Sequence, residues 1–248
     1  MILLNTVVKI NYLYHSGFSV ETDQHLLIFD YYKDFAETNV KTKENGAIGE
    51  SDLHTHKKIV VFSSHSHHDH FNPVILDWTN INPNIQYIFS KDIQVPNYEN
   101  NIAFLSPLEE IAIDTMRIKA YGSTDLGVSY LVNVDNTTIF HAGDLNWWYW
   151  WDDTEEGLEK AEKWFKDEIN KIKEEQIDIA FFPVDQRLKE NYALGAKHFI
   201  NNLNPKIFIP MHFGDKLSTT SKFKKEMTNT DTEIIELKRR GQEIIFTK

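Results

Sequence analysis

Four of the chain's 11 histidines fall in one stretch, His65-Ser66-His67-His68-Asp69-His70, directly after an apolar run at residues 58–63. Imidazole nitrogen and carboxylate oxygen are the usual protein ligands of zinc and related divalent ions, and a catalytic site keeps one position open for water. A chain that bends at the end of a strand can bring several such groups to one cavity. Asn72-Pro73 follows with the form of a helix N-cap and a proline at the first helical position. The stretch therefore sits between a strand end and a helix start, with rigid backbone on both sides. The chain has no cysteine, which removes thiolate ligands, disulfides and a cysteine nucleophile and leaves oxygen and imidazole donors for a metal.

The pattern His65-x-His67-x-Asp69-His70 resembles the signature of the metallo-β-lactamase superfamily, binuclear metallohydrolases built as an αββα sandwich. By that resemblance His65 and His67 bind one metal, Asp69 and His70 bind the second, and His68 is the intervening residue. Phe140-His141-Ala142-Gly143-Asp144 is similar to the motif whose carboxylate bridges the two metals, a role that falls to Asp144. Ile209-Pro210-Met211-His212-Phe213 is similar to the motif that supplies the last histidine of the second metal, His212. Tyr14-His15-Ser16-Gly17-Phe18 and Leu27-Ile28-Phe29-Asp30 resemble the opening of the small metal-dependent hydrolase branch. There Asp30 orients the metal loop from outside the ligand set, and His15 lies near the metals or substrate. One departure stands out. Most members carry a histidine before the bridging aspartate that completes the first metal's shell, and between Asp69 and Asp144 this chain has only His70 and His141. The corresponding region reads Gly122-Ser123-Thr124-Asp125-Leu126-Gly127. Either Asp125 or a hydroxyl such as that of Thr124 substitutes, or water fills the place, or the first site is weak. His141 is the poorer stand-in, because it lies three residues before Asp144 on a strand whose alternate residues point to opposite faces.

The resemblance implies a hydrolase. A hydroxide bridging two divalent ions, available because coordination lowers the pKa of water from about 15.7 to about 7, attacks a small ester, lactone, amide or phosphodiester. Zinc is the expected metal, and manganese, iron or nickel also suit all-His/Asp ligands. Asp69 orients the nucleophile and relays a proton, while His15, His141 and Asp185 are candidates to assist the leaving group. The competing reading, motivated by the missing histidine, is a catalytically weak metal-binding sensor or interaction module on the same fold.

Elements that would position these groups read as follows. Short β segments rich in Ile, Val, Phe and Tyr occupy residues 7–13, 18–22, 26–31, 58–63, 85–90 and 111–121. Two more, at 128–134 and 137–141, are joined by Asp135-Asn136 as a tight hairpin. Asp153 with Glu156 has the form of an N-cap and its capping-box partner, ahead of Leu158, Ala161, Phe165, Ile169 and Ile172 at helical spacing. A nearly continuous apolar run at 177–184 suits a strand buried on both faces, followed by a helix at 193–203 and a strand at 206–210. A two-sheet core with helices outside accounts for this order. With the resemblance it becomes an α+β four-layer αββα sandwich of two mixed β-sheets with helices on the outer faces, a single domain over 1–248. Residues 39–56, polar and containing Gly46 and Gly49, read as an exposed excursion, either a lid or a loop. Trp147, Trp148, Trp150 and Trp151 follow Asp144 and either line the substrate pocket or pack a helix onto the sandwich; Asp185 either faces the site or pairs with Arg187. The lysine-rich stretch at 222–225 reads as a solvated helix face.

Composition sets the outer bounds. With 41% hydrophobic and 25% charged residues in 248, the chain is neither disordered nor collagen-like. Lys+Arg 26 against Asp+Glu 37 gives a net charge of -11, which disfavours nucleic-acid partners and polybasic membrane attachment and leaves a small-molecule substrate. Residues 1–8 lack the basic and long apolar regions of a secretory leader, and no apolar run approaches the roughly 20 residues of a membrane span. A cytoplasmic protein is the expectation.

Overall fold

Alternation along the strands decides the layers. In a computed structural model, which describes residues 6–96 and 101–248, Leu27, Phe29, Val60, Phe62 and Ile88 point into the space between two sheets. Their neighbours Leu26, Ile28, Ile59, Val61, Tyr87 and Phe89 point outward into a second apolar cluster. Strands apolar on both faces must be covered on both. Most of the leader reading lies outside the described residues, at residues 1–5.

The first sheet has the order β14-β1-β2-β3-β4-β5-β6, with β1 Val7–Tyr14, β2 Gly17–Glu21, β3 His25–Phe29, β4 Lys58–Ser63, β5 Gln86–Ser90, β6 Ile102–Leu105 and β14 Glu243–Thr247. The second runs β13-β12-β11-β10-β9-β8-β7, with β7 Glu110–Ile113, β8 Met116–Gly122, β9 Val128–Val134, β10 Thr137–His141, β11 Ile179–Pro183, β12 Ile207–Met211 and β13 Glu233–Ile234. Both are mixed: β3 to β6 and β10 to β13 are parallel, and the remaining pairs antiparallel. Helices α2 (Glu155–Ile172) and α3 (Leu194–Leu203) pack outside the second sheet, against β8 and β11. The outer face of the first sheet is covered by Ile48, by Leu53 of α1 (Glu50–Leu53), and by Ile75 and Trp78 of a 3-10 segment, Pro73–Asn80. This is the αββα sandwich. Helix α4, Ser218–Glu226, buries Phe223 and turns Lys224 and Lys225 to solvent, as expected of that stretch. No helix among the described residues is long and apolar enough to cross a membrane.

Local signals held at the Asp135-Asn136 turn, where both residues have positive φ, and at Asn72, whose side chain accepts from the Val74 amide at the start of the 3-10 segment. Four expectations need correction. Residues 111–121 are not one strand but the hairpin β7–β8, turned at Asp114 with φ 53. The N-cap of α2 is Thr154, whose hydroxyl accepts from Gly157 N; Asp153 instead accepts from the Thr154 amide. The short strands β6, β13 and β14 were unanticipated. Residues 39–56 are not a wholly exposed excursion, since Ala47, Ile48 and Leu53 are buried.

That excursion is anchored by Arg240, a buried guanidinium that donates to the carbonyls of Leu13 and Phe35, each at 2.8 Å, and of Gly46. Arg240→Ala is expected to cost about 3 kcal/mol, because three charge-assisted bonds vanish and buried carbonyls lose their donor. Urea unfolding checks this as a lower midpoint at unchanged slope. A loss below about 1 kcal/mol would mean that water takes the guanidinium's place.

Candidate metal centre

The chemistry-bearing residues lie just beyond strand ends at one edge of the sandwich: His15 after β1, Asp30 after β3, His65 after β4, Asp144 after β10, Asp185 after β11 and His212 after β12. Ligand sites of parallel sheets gather beyond carboxyl ends of strands, where loops are free to diverge. Sharp turns bring the chain back, and His15, Asp30, Gly143 and His212 all have φ between 41 and 64. A Cβ on Gly143 would lie 2.7 Å from Ser64 Cβ, so the bridging loop approaches the histidine loop as closely as glycine allows.

Two clusters of candidate ligands result, His65, His67 and Asp144 in one and His15, Asp69, His70 and His212 in the other, with ligand atoms within 4.8 Å of one another in each. Asp144 stands between them. Its Oδ2 is 3.5 Å from His65 Nε2, while its Oδ1 is 3.2 Å from both His70 Nε2 and His212 Nε2. His68 is exposed and belongs to neither cluster.

Hydrogen bonds behind the ring nitrogens set which nitrogen is free. Asp30 is buried and accepts from Ser64 N, Ser64 Oγ and His70 Nδ1, each at 2.7 Å. Because Ser64 Oγ gives its proton to Asp30, it accepts from His65 Nδ1 at 3.0 Å. His212 Nδ1 has Asp185 Oδ2 at 3.0 Å and Arg187 Nη2 at 3.4 Å; a carboxylate cannot donate, so the shorter contact makes Nδ1 the donor. In their neutral forms His65, His70 and His212 therefore each turn an Nε2 lone pair to the centre, as a cation would require, while without one the neighbouring carboxylates favour the protonated forms of His70 and His212. His15 is wired the other way. Its Nδ1 accepts from the Gly214 amide at 3.1 Å, so its Nε2 carries the hydrogen and points at Asp69 Oδ2, 3.5 Å away. His15 thus turns its N–H toward Asp69 without closing a hydrogen bond.

The remaining polar atoms test whether a cation fits. His70 Nε2 and Asp144 Oδ1 are buried without a hydrogen-bond partner, although burial demands one. Imidazole nitrogen and carboxylate oxygen in this arrangement suit a divalent ion. Charges agree: burial opposes ionisation of Asp144, yet His70 and His212 hold its carboxyl well below the usual range. Burial likewise opposes a charged His212, but Asp144 and Asp185 raise it to about 9. Burial brings His15 and His65 down to about 4, so both are neutral at pH 7.

Several other residues land away from the roles first considered for them. His141 is buried with both nitrogens engaged, Nε2 donating to Ser16 O at 2.8 Å and Nδ1 accepting from Gly143 N at 3.2 Å, and it stacks on Phe29. It has no nitrogen left for a metal or a leaving group. Asp185 accepts from His212 and from Arg187 Nε at 2.8 Å, and although burial opposes it, these partners hold its carboxyl down to about 2. It has no proton to give near neutrality, and both of its contacts hold neighbouring side chains, His212 and Arg187. Thr124 donates to Asn146 O at 2.6 Å and accepts from Asn146 N at 2.9 Å, which clamps the tryptophan loop and occupies the hydroxyl. Asp125 is exposed and supplies no ligand atom to either cluster, which leaves the first cluster with three protein ligands among the described residues.

A cavity of about 350 Å³ opens over the clusters, walled by Asp69, Asp125, Asp144, Trp148, Trp150 and Arg187 among others, with no residue of 39–56 in its lining. Trp148 and Trp150 form wall while buried Trp147 packs on Phe165 of α2, so pocket lining and helix packing each hold for different rings. Two contributors escaped the sequence reading. Ser64 relays Asp30 to His65, and Asp92, just after β5, accepts from the Ser66 amide at 2.8 Å and pins the histidine loop. The signal for Asp92 was its place after a strand at the same edge of the sheet.

The chain matches no family model and no curated protein sequence. It is similar to solved structures. YhfI from Bacillus subtilis, a metallo-β-lactamase fold protein, is 12% identical with a TM-score of 0.63, over 98% of this chain and 100% of that one. Igni18, a metallo hydrolase from the hyperthermophilic archaeon Ignicoccus hospitalis, is 16% identical with a TM-score of 0.62, over 97% and 99%. CmlA, a diiron β-hydroxylase from Streptomyces venezuelae, is 10% identical with a TM-score of 0.61, over 97% of this chain and 54% of that one. Identities this low speak for architecture alone, and with paired seven-stranded mixed sheets and His/Asp clusters at one edge, the chain has the metallo-β-lactamase fold.

Proposed function

We propose that the chain is a metal-dependent hydrolase that holds two divalent ions, zinc foremost, and acts in the cytoplasm on a small ester, lactone, amide or phosphodiester. The observation that carries this reading is Asp144, whose two oxygens face two separate ligand clusters. His65, His67 and Asp144 would hold one ion, and Asp69, His70, His212 and Asp144 the other. Ions held there supply Lewis acidity and bring the pKa of water from about 15.7 to about 7.

The chain's own residues do the rest. Burial opposes ionisation of Asp69, but the neighbouring His15 holds its carboxyl well below the ordinary range, so it is ionised near neutrality and would carry a proton only in passing. It takes that proton from an attacking water and passes it to the leaving group, while His15 restrains its Oδ2. Asp30 and Asp185 fix the imidazoles, and the cavity is of a size for a small molecule.

Elemental analysis of protein purified without chelator tests the reading, with about two ions per chain expected and iron and manganese measured beside zinc. No metal even after reconstitution would sink it. The three-ligand first cluster keeps a non-catalytic metal sensor as the second reading. Asp69→Ala separates the two: an enzyme loses metal-dependent hydrolysis of generic ester and phosphodiester substrates, whereas a sensor has none to lose.

A further inference from the structure

Among the described residues Arg187 is the only arginine or lysine in the wall of the cavity over the clusters, and it also lines an adjoining cavity of about 330 Å³ beside His15 and Lys216. Its side chain is 59% exposed although its partner Asp185 is only 3% exposed, so the guanidinium is turned outward from the group it neutralises. Nε and Nη2 are spent on Asp185 Oδ2, and Nη1 makes no hydrogen bond among the described residues. The guanidinium lies 5.7 Å from the Trp150 ring centre, and Trp150 is parallel to Trp148 within 6°. Trp148 in turn meets His212 edge-on at 5.6 Å and is tied by its indole N–H to Asp144 O.

These contacts describe a preorganised cation beside a flat aromatic wall, both fixed to candidate metal ligands. An arginine held by a carboxylate on one edge and a ring on its face gives up little rotamer freedom when its free edge binds an anion. Asp30, Asp69, Asp144 and Asp185 carry four negative charges, which two divalent ions would match, and Asp125 in the same wall balances Arg187. It is therefore the placement of the free guanidinium edge, and not a surplus of charge, that points to an anion. Asp125, exposed in the same wall, repels an anion from its side and sets the anion at the Arg187 end.

The geometry points to a substrate that is an organic anion with a flat or apolar body, its anionic group on the free edge of Arg187 and its body on Trp148 and Trp150. This deepens the hydrolase reading and rests on it. The test uses 4-nitrobenzoate and 4-nitrobenzamide, which share one ring and differ in charge, titrated by quenching of tryptophan fluorescence. Wild type, Arg187→Ala, Arg187→Lys and Trp150→Phe are compared, each as purified and after chelation. The metal-loaded wild type is expected to prefer the carboxylate about tenfold or more. Arg187→Ala is expected to abolish most of that preference, Arg187→Lys to restore part of it, and Trp150→Phe to weaken both compounds alike. Because a metal ion also attracts the carboxylate, as-purified variants are compared at equal measured metal content, and the ratio in the chelated proteins isolates the part due to Arg187. A wild type without preference, or a preference that survives Arg187→Ala, overturns the proposal. If no metal loads at all, the hydrolase reading falls by that measurement, and the ratio in the chelated protein judges Arg187 by the same two outcomes.

Discussion

Asp144→Asn is expected to empty both halves of the centre, dropping bound metal from about two ions per chain to less than one and hydrolysis by at least about 10³-fold. One side chain has this reach because its oxygens face different clusters, His65 on one side and His70 with His212 on the other. Asparagine keeps the shape and removes the charge. A single remaining ion with most of the activity would show that the clusters act independently. The chelated protein supplies a second readout. Burial alone would lower the pKa of His212, but Asp144 and Asp185 raise it to about 9, above the ordinary 6.5. Stabilisation from a raised pKa is complete below 6.5 and is lost as pH climbs through about 9. Removing the Asp144 charge forfeits that stabilisation, so chelated Asp144→Asn should melt well below chelated wild type at pH 6. At pH 10, where His212 is neutral in both, the gap should close or reverse. A gap independent of pH would sever Asp144 from His212.

Most of the centre was legible because its residues sit in short motifs at strand ends. His65, His67, Asp69 and His70 come from one loop, and Asp144 and His212 each follow a run of buried strand residues. What stayed hidden depended on contacts between distant parts of the chain. The inverted role of His15 is set by the amide of Gly214, and the relay through Ser64 by Asp30. For Asp185 the sequence left facing the site and pairing with Arg187 as alternatives, and the structure has it in contact with both His212 and Arg187. Among the strands, β14 escaped notice because Ile245 is exposed and masks the alternation of Ile244 and Phe246. The β7–β8 hairpin turns on Asp114 and Thr115, which lack the glycine that marks such turns. The sandwich itself was visible in the continuous apolar strands, which only layers on both faces can bury.

Asp30→Asn tests whether positioning from outside the ligand set matters as much as the ligands themselves. The carboxylate holds three donors at 2.7 Å, two from Ser64 and one from His70. An asparagine sets its N–H₂ either at the Oδ2 position, where Ser64 Oγ and His70 Nδ1 both lose their acceptor, or at the Oδ1 position, where it meets the Ser64 amide N–H and pushes the histidine loop away. Both clusters are therefore affected although no ligand is removed, and metal affinity is expected to fall about 10–100-fold. Stability should fall as well, by about 2–4 kcal/mol, because a buried hydrogen-bonded charge is replaced by a group with one acceptor too few. Competition with chelators of graded strength measures the affinity, and urea unfolding of the chelated protein isolates the stability. Ser64→Ala is the partner experiment, since it detaches His65 while leaving the bond between Asp30 and His70. It should weaken the ion held by His65 and His67 and leave the other nearly unchanged. Loss at both sites in Asp30→Asn and at one in Ser64→Ala would establish Asp30 as the common anchor of the two clusters. Normal metal affinity in Asp30→Asn would reduce that carboxylate to a packing role and return the orientation of His70 to its own loop.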